Sequence, residues 1–117
     1  MTTPYEEGDP NSKICIVGEA PGRSEMRLGR PLIGPSGQLL ESCMHSAKMV
    51  RRECYLTNIF PREVKKDKMG NTIKDMQGDT LWTKKDGLTL KGQELAKPCM
   101  ERVSKCGANV VVPLGGT

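Results

Sequence analysis

A carboxylate flanked by glycines follows the first apolar segment of the chain. Ile14–Val17 is a continuous apolar run rich in β-branched residues, and Gly18-Glu19-Ala20-Pro21-Gly22 comes directly after it. Such a run predicts a buried strand, and the glycines let the backbone turn sharply and approach a ligand. Glu19 then lies at the exit of the strand, where a carboxylate can orient a water molecule or a polar group. The alternative is a plain turn whose acid is solvated, because short glycine motifs often match by chance.

A second glycine-rich stretch leads from Gly29 to Gly37 into a predicted helix. The free N–H groups and the positive dipole end of a helix N-terminus can bind phosphate, and the guanidinium of Arg30 can add a contact. We therefore take Arg30, Ser36 and Gly37 as candidate contacts to phosphate, for example in a nucleic-acid backbone. The alternative is a helix capped by Ser36, with Arg30 paired to Glu25 or another local acid. The glycine spacing fits neither a dinucleotide-binding fingerprint nor a Walker loop.

Asn58 stands at the end of a second predicted strand. Its side-chain amide offers an acceptor oxygen and two N–H donors. That combination matches the edge of a pyrimidine, where a carbonyl and an N–H lie side by side. The alternative is a turn, which asparagine often forms after a strand.

The cysteines and the single histidine show no spacing typical of a metal site. None of the five cysteines forms a close pair of the kind that anchors zinc. They are Cys15, Cys43, Cys54, Cys99 and Cys106. His45 falls inside a predicted helix, where a surface position is the simplest interpretation. The odd number of cysteines, without a C-x-x-C pair, indicates a reducing intracellular compartment.

The elements that must position these residues alternate along the chain. Three strands and two helices are predicted, in the order strand, helix, strand, helix, strand: 14–17, 36–48, 54–59, 89–105 and 109–114. This order is typical of an α/β fold. We expect the second helix to be interrupted near Pro98, residues 1–12 to form a flexible lead-in, and one domain to span 13–117. The lysine-rich residues 61–90 predict a long exposed excursion.

Length and composition limit the class of protein. A chain of 117 residues has room for one domain. Its 18 Lys and Arg against 14 Asp and Glu give a net charge of +4, which favours anionic partners. The longest apolar stretch, Val110–Leu114, is far shorter than the roughly 20 residues that cross a bilayer. Met1–Asp9 carries acids instead of the basic start of a signal peptide. We therefore expect a cytoplasmic protein with no membrane contact.

Four segments occur in an order that is more specific than any one of them. They are Gly18-Glu19-Ala20-Pro21-Gly22; Gly29-Arg30-Pro31 with Gly34 and Gly37-Gln38-Leu39-Leu40; Tyr55-Leu56-Thr57-Asn58; and Val110–Gly115. Together they resemble the uracil-DNA glycosylase superfamily, in particular its family-four type and the phage relatives of that type related to a viral DNA polymerase region. The resemblance covers about residues 14–117. It implies a three-layer α/β/α domain with a mostly parallel central sheet.

The resemblance also implies an activity. Members of this family remove uracil from DNA in base-excision repair by hydrolysing the N-glycosidic bond, after the nucleotide is extruded into a pocket. By resemblance, Glu19 is the catalytic residue beside the scissile bond and its water, and Asn58 binds the uracil edge. The other substrate contacts it implies are Gly18, Ala20, Pro21, Gly22 and Leu32. The expected partners are uracil-containing DNA and replication proteins, and we expect a monomer in a bacterial or phage-infected cell.

Several positions depart from the family pattern. Leu32 stands where the family has an aromatic residue that stacks on the base, and Leu32 offers no ring face. Met26 replaces an acid that usually follows Glu25. Family-four enzymes hold an iron–sulfur cluster on four cysteines, but only Cys99 falls at a matching place, and Arg62 stands where another ligand would follow the Asn58 motif. One ligand cannot hold a cluster, so we expect no cofactor and no metal.

The family's last motif, a His-Pro-Ser loop with a catalytic histidine, would follow the strand that ends near Leu114. The sequence has no such segment. We therefore expect an incomplete glycosylase-like domain, truncated at its C-terminus, in which the truncation can abolish the activity. One alternative is a noncatalytic DNA-binding or replication-associated module of the same fold, which uses the basic residues from Lys65 to Lys85. Another is an α/β protein that binds a small anion at Ser36–Leu39.

Overall fold

A computed structural model describes residues 2–113, with the exception of the side chain of Ser36. Its strands are β1 (Thr2–Thr3), β2 (Glu6–Glu7), β3 (Ile14–Gly18), β4 (Cys54–Asn58), β5 (Val64–Lys66), β6 (Thr72–Asp75), β7 (Thr80–Thr83), β8 (Gly87–Leu88) and β9 (Val110–Pro113). Its α-helices are α1 (Arg23–Leu28), α2 (Pro35–Ser46) and α3 (Leu90–Lys105), and a 3-10 turn spans Arg51–Glu53. The three predicted strands are therefore confirmed, although Leu114 lies outside the described residues.

The central sheet has five strands in the order β1-β2-β4-β3-β9. β3 pairs in parallel with β4 and with β9, and the register sets Gly18 opposite Asn58. Ile16, Leu56, Cys54 and Met44 form a buried cluster against this sheet. The α/β class is confirmed, and its parallel strands bring two of the predicted site positions to one edge.

The family resemblance implies a mostly parallel sheet, and this expectation is not confirmed. The sheet is mixed, because β1 and β2 add two antiparallel pairings. The expected flexible lead-in therefore contains a hairpin. Two contacts hold the hairpin in place. Tyr55 Oη donates to Glu6, and the guanidinium of Arg102 lies 5.2 Å from the ring centroid of Tyr5. The hairpin strands are two residues long and polar, so they carry no alternating apolar pattern that would predict them.

Residues 61–90 are largely exposed, as the sequence predicts, but they form a second sheet instead of a loop. β5, β6, β7 and β8 pair in sequence order as an antiparallel four-stranded sheet, which we call the inserted sheet. Ile73 and Leu81 of this sheet pack with Phe60 and with Ala96 of α3 in a second buried cluster. Few of its side chains are buried, namely Ile73, Asp75 and Leu81, and its lysines are exposed. The segment therefore has the composition of a loop although it forms a sheet.

The predicted helices form with shifted boundaries. α2 begins one residue before the predicted start, with Gly34 as N-cap and Pro35 in the first turn, so Ser36 does not cap it. α3 runs past Pro98 without interruption. Thr89 caps the start of this helix, and its side chain accepts a hydrogen bond from the N–H of Gly92 at 3.1 Å. No helix within residues 2–113 is long and apolar enough to cross a membrane.

Candidate functional site

Two strand ends define the candidate site. Beyond the Gly18–Asn58 pairing, the N–H of Ile59 donates to Gly18 O at 2.9 Å and the N–H of Phe60 donates to Glu19 O at 2.8 Å. The segments after β3 and β4 therefore run side by side and open a cavity of about 340 Å³, which we call the Glu19–Asn58 cavity. Its lining consists of Gly18, Glu19, Ala20, Pro21, Gly22, Leu32, Asn58, Glu63, Val64 and Lys66. The structure thus brings together the predicted catalytic residue and all the predicted substrate contacts.

Asn58 is buried without a partner for its side chain. The residue is 1% exposed, and neither its amide nitrogen nor its amide oxygen has a hydrogen-bond partner among residues 2–113. A buried amide without partners costs free energy unless a ligand or water satisfies it. Because this amide lies in a cavity, it is poised to bind a ligand that offers both an acceptor and a donor.

Gly18 makes room for that amide. A Cβ atom at position 18 would stand 2.3 Å from Asn58 Oδ1 and 3.4 Å from Leu32 Cδ2. Any side chain here would displace the Asn58 amide. Gly18 therefore serves the site by close approach and not by an unusual backbone angle.

Glu19 lines the cavity and has one carboxylate oxygen without any partner in the described chain. Its Oε2 lies 2.7 Å from Nζ of Lys66, while Oε1 has no partner in the described part of the chain. The approach of Lys66 lacks the angles of a hydrogen bond, so the contact is an ion pair. The Glu19 side chain is 14% exposed. A carboxylate oxygen in this setting can accept a hydrogen bond from a bound water molecule.

Leu32 forms the opposite wall, on a loop that is held firmly. Its φ of 53° lies in the left-handed region, which costs about 1–2 kcal/mol for a residue with a side chain. Arg51 offsets this cost, because its guanidinium donates to the carbonyls of Leu32 at 2.8 Å and Pro31 at 2.5 Å. The Leu32 carbonyl also lies where a Cβ of Gly37 would be, only 1.9 Å away. Leu32 therefore holds a fixed position in the cavity wall.

Glu25 ties the same loop to the glycine motif after β3. Its carboxylate accepts hydrogen bonds from the N–H groups of Gly22 at 2.8 Å, Ile33 at 3.0 Å and Gly34 at 2.6 Å. Burial opposes the charged form of Glu25, but these backbone bonds outweigh it and hold the pKa of the carboxyl below its ordinary value. Glu25 therefore binds backbone and is not the partner of Arg30 that the sequence allowed.

Two of the predicted phosphate contacts, Arg30 and Gly37, are not part of the cavity lining that the structure describes. Arg30 pairs with Glu7, with Nε 2.8 Å from Oε1, and Arg51 shares the same carboxylate. Burial of Glu7 raises its pKa, but Arg30 and Arg51 outweigh this, so the pKa lies below its ordinary value. Gly37 is buried under Leu32, and the Ser36 side chain lies outside what the structure describes. The role of these three residues stays a prediction.

A second cavity of about 290 Å³ adjoins the first and shares Glu63 and Val64 with it. It is lined by the inserted sheet, by α1 and by α3. Its charged side chains include Asp75 and Lys91, which pair with each other at 2.7 Å. Because this pair is already satisfied, while the polar atoms of Asn58 are not, the Glu19–Asn58 cavity is the better candidate for chemistry.

The cysteines do not fit the iron–sulfur cluster that the resemblance implies. No group of three His, Cys, Asp or Glu side chains within residues 2–113 is placed to hold a metal ion. Cys99 is buried on α3, and Cys43 is exposed on α2. Burial, together with neighbouring Cys106 and Cys99, raises the pKa of Cys15 to about 12, so this thiol stays protonated. No chemistry below involves a cluster.

Sequence reasoning missed three residues of this site. Lys66 was counted only as part of a basic excursion, Arg51 carried no motif, and Glu25 was considered only as a partner for Arg30. Lys66 depends on the register of a sheet that the composition concealed. Arg51 reaches backbone carbonyls that lie 19 and 20 residues earlier in the chain. No local spacing reports contacts of either kind.

Comparison with known proteins gives one family match and several relatives. A family model described as the uracil DNA glycosylase superfamily matches residues 5–117. The chain is similar to proteins named type-4 uracil-DNA glycosylase: 42% identical over 53 residues to one from Pyrobaculum aerophilum, 40% over 53 residues to one from Archaeoglobus fulgidus, and 36% over 53 residues to one from Thermotoga maritima. Each match covers 45% of this chain, and the matched part spans 27%, 27% and 28% of these relatives, respectively.

Proposed function

Because the chain belongs to the uracil DNA glycosylase superfamily, we propose that it removes uracil from DNA by hydrolysing the N-glycosidic bond, a step of base-excision repair. One observation carries this proposal. The unpartnered amide of Asn58 and the free oxygen of Glu19 face one cavity, at the ends of two parallel strands. A target nucleotide reaches such a cavity only when it is flipped out of the base stack.

Asn58 selects the base in this proposal. The pyrimidine edge of uracil carries a carbonyl and an N–H side by side, and an amide can donate to the first and accept from the second. Burial makes these two hydrogen bonds matter, because a base with a different edge leaves the amide unsatisfied. Leu32 packs on the base without a ring face.

Glu19 acts on the bond that breaks. As the N-glycosidic bond stretches, the sugar gains positive charge and the base gains negative charge. The carboxylate of Glu19 stabilises the cationic sugar, and its Oε1 orients a water molecule for attack on the sugar carbon that loses the base. An amide N–H of Asn58 stabilises the departing base. No covalent intermediate is required.

The test is release of uracil by the chain itself. We expect the chain to create abasic sites in a uracil-containing strand, and Glu19→Ala and Asn58→Ala each to lower the rate by about 100-fold or more. Release by the chain that does not exceed release by both variants would overturn the enzyme assignment.

A second candidate function, noncatalytic DNA binding, is favoured by one feature of the inserted sheet. Lys65 and Lys74 stand directly opposite each other on exposed strand positions. Like charges at such positions repel unless an anion lies between them. DNA phosphates would supply that anion. This candidate predicts binding without base release.

Salt dependence tests the second candidate. The double variant K65Q/K74Q should lower the slope of log affinity against log salt by about two, because two phosphate contacts are lost. Lys97→Gln, at an exposed position of α3, should leave it unchanged. An equal slope for the double variant and the original chain would rule out this pair as a DNA contact.

For the whole protein we propose a three-layer α/β/α arrangement around the parallel strands β4, β3 and β9. We also propose a monomer that holds no iron–sulfur cluster, meets replication proteins and works in the cytoplasm of a bacterial or phage-infected cell. The family membership and the basic charge of the chain support contact with DNA.

A further inference from the structure

Lys66 reaches the Glu19–Asn58 cavity from an element outside the central sheet. It is the last residue of β5, in the inserted sheet, yet its Nζ lies 2.7 Å from Glu19 Oε2. It is the one cationic side chain in the cavity lining described by the structure. The contact joins residues 19 and 66, which are 47 positions apart in the sequence.

Strand register explains why Lys66 points into the cavity and Lys65 does not. Lys66 pairs with Ile73, which is 4% exposed and belongs to the buried cluster of the inserted sheet. Lys65 pairs with Lys74 at exposed positions. Since paired residues share a face and neighbours along a strand alternate, Lys66 lies on the inner face and Lys65 on the outer face.

The inserted sheet is fixed close to Glu19. Ala20, the residue after Glu19, packs against the cluster formed by Phe60, Ile73 and Leu81. The backbone N–H of Phe60 donates to the carbonyl of Glu19 at 2.8 Å. The start of β5 and the backbone of Glu19 therefore belong to one packed unit. The ion pair between Lys66 and Glu19 does not depend on a distant loop.

We propose that Lys66 is a positioning residue for Glu19, so that the inserted sheet is part of the active site. The inference rests on the proposed function. Lys66 holds Oε2 and leaves Oε1 without a partner in the described part of the chain. A glutamate side chain otherwise samples several rotamers, and fixing one of them removes an entropic cost from the reaction. The ammonium also compensates the carboxylate for the water it loses at a largely buried position.

Two variants separate positioning from a general effect on the fold. Lys66→Met should lower the single-turnover rate of uracil release at saturating DNA by about tenfold to a hundredfold, the cost of a misplaced reacting group. Lys66→Arg should recover most of that loss. Lys97→Met, at an exposed position of α3 outside the cavity lining, should leave this rate unchanged. A purely structural role would lower the melting temperature of Lys66→Met without this pattern of rates.

A labelling experiment tests the ion pair without relying on activity. Reductive methylation of lysines by formaldehyde and a cyanoborohydride, read out by peptide mass spectrometry, gives the rate at Lys66 relative to Lys65. We expect Glu19→Gln to raise this ratio by about twofold to fivefold, because the ion pair protects the amine.

The outcomes are distinct. An unchanged labelling ratio overturns the inference, whether or not the chain is active. A raised ratio with a normal rate for Lys66→Met also overturns it, because the ion pair then has no positioning role. If the original chain releases no uracil, the proposed function fails, and the labelling ratio alone decides whether Lys66 holds Glu19.

Discussion

Gly18 and Asn58 show how closely the residues of this site depend on one another. The amide oxygen of Asn58 occupies the space in which a side chain at position 18 would begin. Asn58 therefore requires a glycine at position 18, in addition to the turn after β3. Sequence reasoning placed both residues at strand ends but had no means to detect this contact across the sheet.

Gly18→Ala should disable the site with little effect elsewhere. The new Cβ would stand 2.3 Å from Asn58 Oδ1 and force the amide out of position. We expect uracil release to fall by about 100-fold, as when one preorganised donor is lost. Gly70→Ala is the control, and it should leave the rate of uracil release unchanged. Its φ of 72° strains any side chain, but nothing lies within 4 Å of the new atom. A normal rate for Gly18→Ala would contradict the geometry.

Glu25 contributes stability that depends on pH. Folding lowers the pKa of its carboxyl, so the charged form stabilises the fold above the ordinary value of 4.5, and this contribution is lost as the pH falls through the lowered value. Glu25→Gln should cost about 2 kcal/mol at neutral pH, because an amide donor would face backbone N–H groups.

The measurement is urea unfolding of both proteins over a pH series. The difference between them should shrink as the pH falls below 4.5. A difference that stays constant down to the acid limit of folding would show that the charge of Glu25 has no part in it.

At the scale of elements, sequence pattern predicted what is locally repetitive. β3, β4 and β9 are apolar strands, and α2 and α3 have helical spacing, so all five were found. The hairpin of β1 and β2 and the inserted sheet were missed, because their strands are short and mostly polar. The helix α1 was missed as well, because it has only six residues and lies in a glycine-rich segment. They form through tertiary contacts, such as the pairing of β2 with β4 and the packing of Leu81 against α3.

Arg51 links the hairpin, the Leu32 loop and the central sheet. Its guanidinium contacts Glu7 of β2 at 2.9 Å and the carbonyls of Pro31 and Leu32. Arg51→Met should lower stability by about 2 kcal/mol, since it leaves carbonyl groups and a carboxylate unpaired. It should also weaken binding of uracil-containing DNA, because Leu32 then loses its support in a strained conformation.

Arg52→Met is the matched control for this prediction. Arg52 is the next residue in the same 3-10 turn and is exposed. Its loss should change neither the urea midpoint nor the affinity for DNA. Equal effects of the two substitutions would show that the clamp made by Arg51 does not stabilise the loop.

The whole molecule combines a mixed sheet, which aligns Glu19 with Asn58, and an inserted sheet, which supplies Lys66 and an exposed basic face. The formal charge of +4 and the family membership both favour DNA as the partner. Composition favours anionic partners in general. It could not predict which lysines face the cavity and which face outward, because this follows from the register of β5 on β6.

The central claim is that the buried amide of Asn58 binds the uracil edge. The most direct measurement is the NMR signal of the Asn58 side-chain amide, assigned by its loss in Asn58→Asp, during titration with oligonucleotides that differ only in one base. We predict that the signal shifts on addition of the uracil-containing strand and stays in place with the matched cytosine-containing strand. An unmoved signal with uracil, or the same shift with both strands, would contradict the account.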